Sequence, residues 1–293
     1  MEACAVASNL AGEPEPFRCV AIVGVGLIGG SLGMALRSRG FAMRVIGIDR
    51  SEETLSRAVS LGAIDTGSPD LDRVAEADCV VFATPVGGLP GLLERASEFV
   101  QPGAILTDVG SVKRRIVSAG ERLFGARFVG GHPMSGSEAS GVDAARGDLF
   151  ENAPWAITVA RPATTVTDSA VQRIVSLVSA LGARPVYLSP ADHDCLVGLI
   201  SHLPHVLSFA FARAVSVDPR ASTAVEIAGG SYRDMIRVSR SSPELWADIL
   251  HENRDVLADA ISDLERILQS FRAALQSDDK AAVYQQLLHK LPE

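Results

Sequence analysis

A chain of 293 residues exceeds one ordinary core and falls short of three, so two domains are expected. With 47% hydrophobic and 21% charged residues, it has the composition of a globular protein and not of a disordered one. A net charge of −8 argues against a nucleic-acid binder, which needs a basic face for phosphates.

Residues 1–16 carry Glu2, Glu13 and Glu15, with no basic start and no long apolar run, and read as a flexible tail, not a signal peptide. Short β-branched apolar runs at 18–23, 44–49, 78–84 and 104–109 predict strands, and the segments 30–39, 51–60 and 87–99 between them have helical apolar spacing. Near-continuous apolar strands separated by helices predict a parallel sheet covered on both faces. Strands at 155–160 and 185–188, with a helix over 168–181, complete this half. The pattern changes at Ser189-Pro190-Ala191-Asp192, a helix start with Ser as N-cap and Pro at the first helical position. Beyond it only helical periods are found. The most apolar stretch, 195–214, contains Ser201, His202, Pro204, His205 and Arg213, and reads as a buried helix at the middle of a bundle or a subunit interface, not as a membrane span. Cys4, Cys19, Cys79 and Cys195 lie far apart with no CxxC pair, so neither disulfides nor zinc are expected and a reducing cytoplasm is the simpler setting.

Gly24-Val25-Gly26-Leu27-Ile28-Gly29 follows the first predicted strand and opens a helix, the context that gives a GxGxxG its meaning. Its glycines allow a tight turn and close approach of a pyrophosphate to unpaired helix N–H groups. The chain therefore reads as α/β: a tail (1–16), a Rossmann-type dinucleotide-binding domain (17–189) and an all-helical domain (190–293). Asp49, twenty residues after Gly29, can accept from both ribose hydroxyls and would repel a 2′-phosphate, which favours NAD over NADP; Arg50 beside it could instead meet that phosphate or stack on adenine. Thr84-Pro85 and Ser111 follow later strands, where open α/β sheets place ligands. Thr84-Pro85 could equally be a strand stop, and Ser111 a helix N-cap.

Three glycines and a proline put His132 on a loop in Gly130-Gly131-His132-Pro133-Met134-Ser135-Gly136-Ser137-Glu138. There an imidazole can take a proton from a substrate hydroxyl as hydride leaves, or simply bond loop backbone. In Ser201-His202-Leu203-Pro204-His205, Ser201 and His205 share a helix face, Pro204 predicts a kink, and the HxxH pair finds no third ligand for a metal. Gly229-Gly230 leads to Arg233 and Arg237, either of which could bind a carboxylate or lie solvated.

Taken together, GVGLIGGS, DVGSVK, GGHPMSGSE, SHLPH and the glycine pair leading to Arg237 and Pro243-Glu244-Leu245-Trp246 resemble the prephenate dehydrogenase family over about residues 18–268. The resemblance implies oxidative decarboxylation of prephenate with NAD to 4-hydroxyphenylpyruvate and CO2, in tyrosine biosynthesis. It implies that His132 polarises or deprotonates the substrate 4-hydroxyl and that Ser111 hydrogen-bonds the same oxygen. It further implies that Arg237 binds a substrate carboxylate, with His205, Ser137, Ser201, His202 and Gly230 lining the site. Gly24, Gly26, Leu27, Ile28, Gly29, Asp49, Arg50, Thr84 and Pro85 would hold NAD. A homodimer through the helical domain is implied too, with no mutase or regulatory domain expected at either end. The alternatives are an arogenate or dual-specificity cyclohexadienyl dehydrogenase and, in a different class, a non-catalytic NAD-binding sensor. A β-hydroxyacid dehydrogenase would need a lysine base that SHLPH lacks.

Overall fold

The computed structural model describes residues 15–136, 139–160 and 169–288, so most of the expected tail, and Ser137, lie outside the described residues. The chain divides into two compact units, Met1–His193 and Asp194–Glu293.

The first unit is built on eight strands: β1 (Val20–Val23), β2 (Val45–Ile48), β3 (Thr66–Ser68), β4 (Cys79–Phe82), β5 (Ile105–Asp108), β6 (Phe128–Pro133), β7 (Pro154–Thr158) and β8 (Arg184–Leu188). They form one sheet in the order β3-β2-β1-β4-β5-β6-β7-β8. The helices α1 (Leu27–Ser38), α2 (Glu52–Ser60), α3 (Leu89–Ala96), α4 (Arg114–Phe124) and α5 (Ser169–Ala180) alternate with the strands. β1, β2 and β4 are buried along their whole length, as their unbroken apolar sequences require when both faces of a sheet are covered. Val20, Ile22, Leu32 and Leu36 have no exposed surface, and each such side chain contributes on the order of 1.5–3 kcal/mol by leaving water. α2 begins where Ser51 accepts from Thr54 N, an ordinary N-cap.

Four expectations need correction. The sheet is mixed, because β7 runs antiparallel to β6 while β8 pairs with β7 in parallel. A parallel return needs a long crossover, usually a helix, and between β6 and β7 the described chain holds only a 3₁₀ turn, Val142–Ala144. The helix expected over 87–99 is a 3₁₀ turn at Val86–Gly88 followed by α3, with Pro90 in the first turn. β3 was too short to announce itself.

The fourth correction concerns His132, which sits in β6 and not on a loop, in register with Ala156 of β7. The glycines before it serve packing, not turning. A Cβ on Gly130 would lie 2.3 Å from Thr158 Oγ1, and one on Gly131 would lie 2.6 Å from the Asp108 carbonyl oxygen.

The chain from Pro190 onward is helical among the described residues: α6 (Pro190–Val197), a π-helical turn (Gly198–His202), α7 (Leu203–Ser216), α8 (Ala221–Glu226), α9 (Gly230–Ser239), α10 (Pro243–Glu252), α11 (Arg254–Gln276) and α12 (Lys280–Leu287). The π turn falls just before Pro204, which has no N–H for the Ile200 carbonyl, so the widened turn takes the place of the expected kink. The run Pro190–Ser216 is long and apolar enough to cross a membrane by length and composition alone. It is less covered than a buried helix would be: Leu199 is 59% and Ile200 64% exposed. A helix that is apolar all round needs partners on every side, and the described residues cover only part of it.

Candidate active site

In the first unit, the order β3-β2-β1-β4 places a switch in strand direction of travel between β1 and β4, where open α/β sheets bind ligands. The chain leaves β1 through Gly24, whose φ of +97° is one that L side chains rarely adopt. A Cβ there would also lie 2.6 Å from the Ala83 carbonyl oxygen and 2.8 Å from Thr84 Cγ2, so the glycine loop lies directly on the end of β4. Gly29 closes the turn from the other side, since its Cβ would lie 2.0 Å from the Gly24 carbonyl oxygen. Gly26 faces open space with nothing within 4 Å. It precedes α1, whose first turn has no side-chain cap and no acidic residue. Leu27 and Ile28 are half-buried and pack on the core behind the loop.

These features fit a dinucleotide: an open glycine at an uncapped helix N-terminus for the pyrophosphate, and beside it the buried Thr84 Oγ1, which has no hydrogen-bond partner in the protein. Asp49, half-buried just past β2, accepts from Val25 N (3.0 Å, at Oδ2) and Ser51 N (3.1 Å, at Oδ1). Two of the roughly four lone-pair positions of a carboxylate are thereby used and the others remain for ribose hydroxyls. Arg50 and Pro85 are exposed.

Next along the sheet, Ser111 follows β5 and is half-buried. It does not cap α4, which starts at Arg114 with Lys113 in the flanking position. Lys113 is fully buried against the equally buried Asp108. The Lys113 ammonium also donates to Gly131 O at 2.7 Å, and Asp108 accepts from Gly110 N at 2.8 Å and Gly131 N at 3.2 Å. Both polar groups of Gly131 are held by this ion pair, which fixes the backbone immediately before His132. His132 is 9% exposed, and its Nδ1 lies 2.9 Å from Nε2 of His193 in α6.

The second unit carries the other candidates. His205 donates from Nδ1 to Ser201 O at 2.9 Å, one turn back, and stacks on Trp246 with ring centroids 3.5 Å apart. Donation from Nδ1 leaves Nε2 as the acceptor of the neutral ring. Burial pushes the imidazole below the usual histidine range, partly opposed by the Ser201 carbonyl. His202 is fully buried: its Nδ1 meets Asn253 Nδ2 at 3.1 Å, and that amide also donates to Asp194 O at 2.8 Å. His202 thus sits in the core of the helical unit, as its apolar neighbours in sequence suggest. Gly230 opens α9, and Arg237 is exposed on the last turn of that helix.

Sequence reasoning missed His193, Asn253 and the Asp108–Lys113 pair. The pair was visible as an acid and a lysine flanking an apolar turn, and His193 as the histidine three residues into a capped helix start. Asn253 gave no signal.

A glycine loop at the switch point, an acidic residue after β2 and an imidazole at the end of β6 define an NAD-dependent oxidoreductase. Two family profiles account for nearly the whole chain: "Prephenate dehydrogenase, nucleotide-binding domain" over residues 32–187 and "Prephenate dehydrogenase, dimerization domain" over residues 189–289. The chain belongs to the prephenate dehydrogenase family. It is 35% identical over 265 residues to the prephenate dehydrogenase of Bacillus subtilis (strain 168), covering 89% of this chain and 71% of that one. It is 32% identical over 267 residues to the cyclohexadienyl dehydrogenase of Zymomonas mobilis, covering 90% of each. Among solved structures it resembles the prephenate dehydrogenase of A. aeolicus in complex with hydroxyphenyl propionate and NAD+, with a TM-score of 0.85, 32% identity, and 92% and 94% of the two chains covered.

Proposed function

We propose that this protein is a prephenate dehydrogenase that works with NAD as a homodimer in the cytoplasm, in tyrosine biosynthesis. The observation that carries the reading is one of placement. The glycine loop, Asp49, Thr84, Ser111 and His132 all follow or close parallel strands at the carboxyl edge of one sheet. A non-catalytic NAD sensor would have no use for an imidazole built into that edge.

NAD held by the glycine loop and Asp49 would supply the acceptor for the hydride of C4 of the substrate ring. His132 takes the proton of the 4-hydroxyl as that hydride departs, and Ser111 hydrogen-bonds the same oxygen. The bond from C1 to the ring carboxylate then breaks, its electron pair completes the aromatic ring, CO2 leaves, and the new phenolate oxygen regains the proton from His132. Arg237 is assigned a substrate carboxylate by charge-assisted hydrogen bonding, and His205 a group of the substrate side chain through Nε2. Ser137, Ser201, His202 and Gly230 are assigned to the lining. Asn253 engages the His202 ring at Nδ1.

The exposed apolar side chains of α6 to α8, among them Leu196, Leu199, Ile200 and Val225, support dimerisation through the helical unit, because a monomer would leave them in water. Steady-state kinetics with prephenate and arogenate, each with NAD and NADP, test the assignment. Prephenate with NAD is expected to give the highest kcat/KM. A preference for arogenate would move the protein to the related specificity on the same scaffold.

A further inference from the structure

We propose that His193 is a positioning residue that fixes the tautomer of His132, an inference that rests on the reading of His132 as the base. A neutral imidazole carries one N–H, and which nitrogen holds it is set by what the other meets. For His132 to receive a proton at Nε2, its hydrogen must sit on Nδ1, and Nδ1 must then have an acceptor. The group at that place is Nε2 of His193, 2.9 Å away, with the rings at 67° and their centroids 5.1 Å apart.

Both rings are held by elements built independently of each other. His132 is clamped by β6–β7 pairing with Ala156 and by the Lys113 and Asp108 bonds to Gly131. His193 lies in the first turn of α6, whose start is fixed by Ser189 Oγ: it accepts from Asp192 N at 3.0 Å and donates to Asp192 Oδ2 at 2.6 Å. The His193 N–H returns to Ser189 O at 2.9 Å. His193 has no exposed surface, and its Nε2 is the atom that faces His132 Nδ1. It serves as the acceptor. When His132 gains its second proton, the Nδ1–H···Nε2 bond becomes charge-assisted, so it is stronger in the transition state than before it.

The test compares His193→Leu, which removes the acceptor, with His193→Gln, whose amide oxygen can replace Nε2. In the full chain with NAD and prephenate, His193→Leu is expected to lower kcat by roughly 10–100-fold with KM changed little, and His193→Gln to recover most of it. Nitrogen-15 NMR of the histidines in the NAD-bound wild type is expected to show His132 protonated at Nδ1, a reading that depends on no variant. The Nε2–H tautomer in wild type, or wild-type kcat in a folded His193→Leu protein, overturns the proposal. If His132→Asn also keeps its kcat, the reading of His132 as base fails with it; if His132→Asn is impaired, only the role of His193 is lost.

Discussion

Replacing Lys113 with Met probes the anchor beneath His132. Both Lys113 and Asp108 have no side-chain exposure, so the substitution leaves a buried carboxylate without its counter-charge. Gly131 O loses the donor at 2.7 Å, while the backbone donors at Gly110 and Gly131 stay with Asp108. Breaking a buried pair from one side typically costs about 3–5 kcal/mol. At about 2–4 °C per kcal/mol for a unit of this size, the melting temperature should fall by roughly 6–20 °C. Asp108→Asn should cost a similar amount, and the double variant much less than the sum, with a coupling of about 2–3 kcal/mol. Because the pair holds both polar groups of Gly131, kcat should fall as well, even where the variant is still folded. Thermal unfolding by circular dichroism and a double-mutant cycle read the stability, and steady-state assays read the rate. Single variants that each cost under about 1 kcal/mol and add without coupling would refute the idea that this pair organises the end of β6.

Three further outcomes follow from individual side chains. His132→Asn should lower kcat by about 10²–10⁴-fold with little change in KM, because Asn can hydrogen-bond the 4-hydroxyl but cannot accept its proton. Wild-type kcat in that variant would assign His132 a purely structural role. Asp49→Ser should raise KM for NAD and improve use of NADP, since the serine no longer repels a 2′-phosphate and Arg50 can meet it; an unchanged NAD/NADP ratio would remove Asp49 from cofactor selection. His205 is held below its ordinary range by burial, so the unfolded chain binds its proton first as the pH falls. Its contribution to stability is therefore lost as pH drops below about 6.5, the unfolded value, and levels off below the folded one. Denaturant unfolding between neutral pH and about pH 5 should show a shallower loss for His205→Gln than for wild type, and equal slopes would contradict the assigned burial effect.

Much of the first unit was legible because buried parallel strands write themselves as apolar runs: VAIV at β1 and CVVF at β4 admit few other readings. The glycine loop was legible for the same kind of reason, as Gly24 and Gly29 are demanded by local geometry. β6 was not. Its glycines looked like a turn, yet they are there because Asp108, Trp155 and Thr158 crowd the strand, a tertiary fact that local sequence does not carry. The reversal of β7 was hidden similarly, since strand direction follows from the absence of a crossover helix. His132–His193 is a contact between separate elements, 61 residues apart, and only the fold brings the two rings together. The helix after Pro190 was legible as apolar, but whether a bundle or a second subunit covers it was not, because sequence reports hydrophobicity and not which neighbours are present.

The central claim is best tested by product stoichiometry. Purified protein incubated with prephenate and limiting NAD should form NADH, CO2 and 4-hydroxyphenylpyruvate in equal amounts. NADH without matching CO2, or no NADH at all while arogenate or another substrate is turned over, would contradict the account.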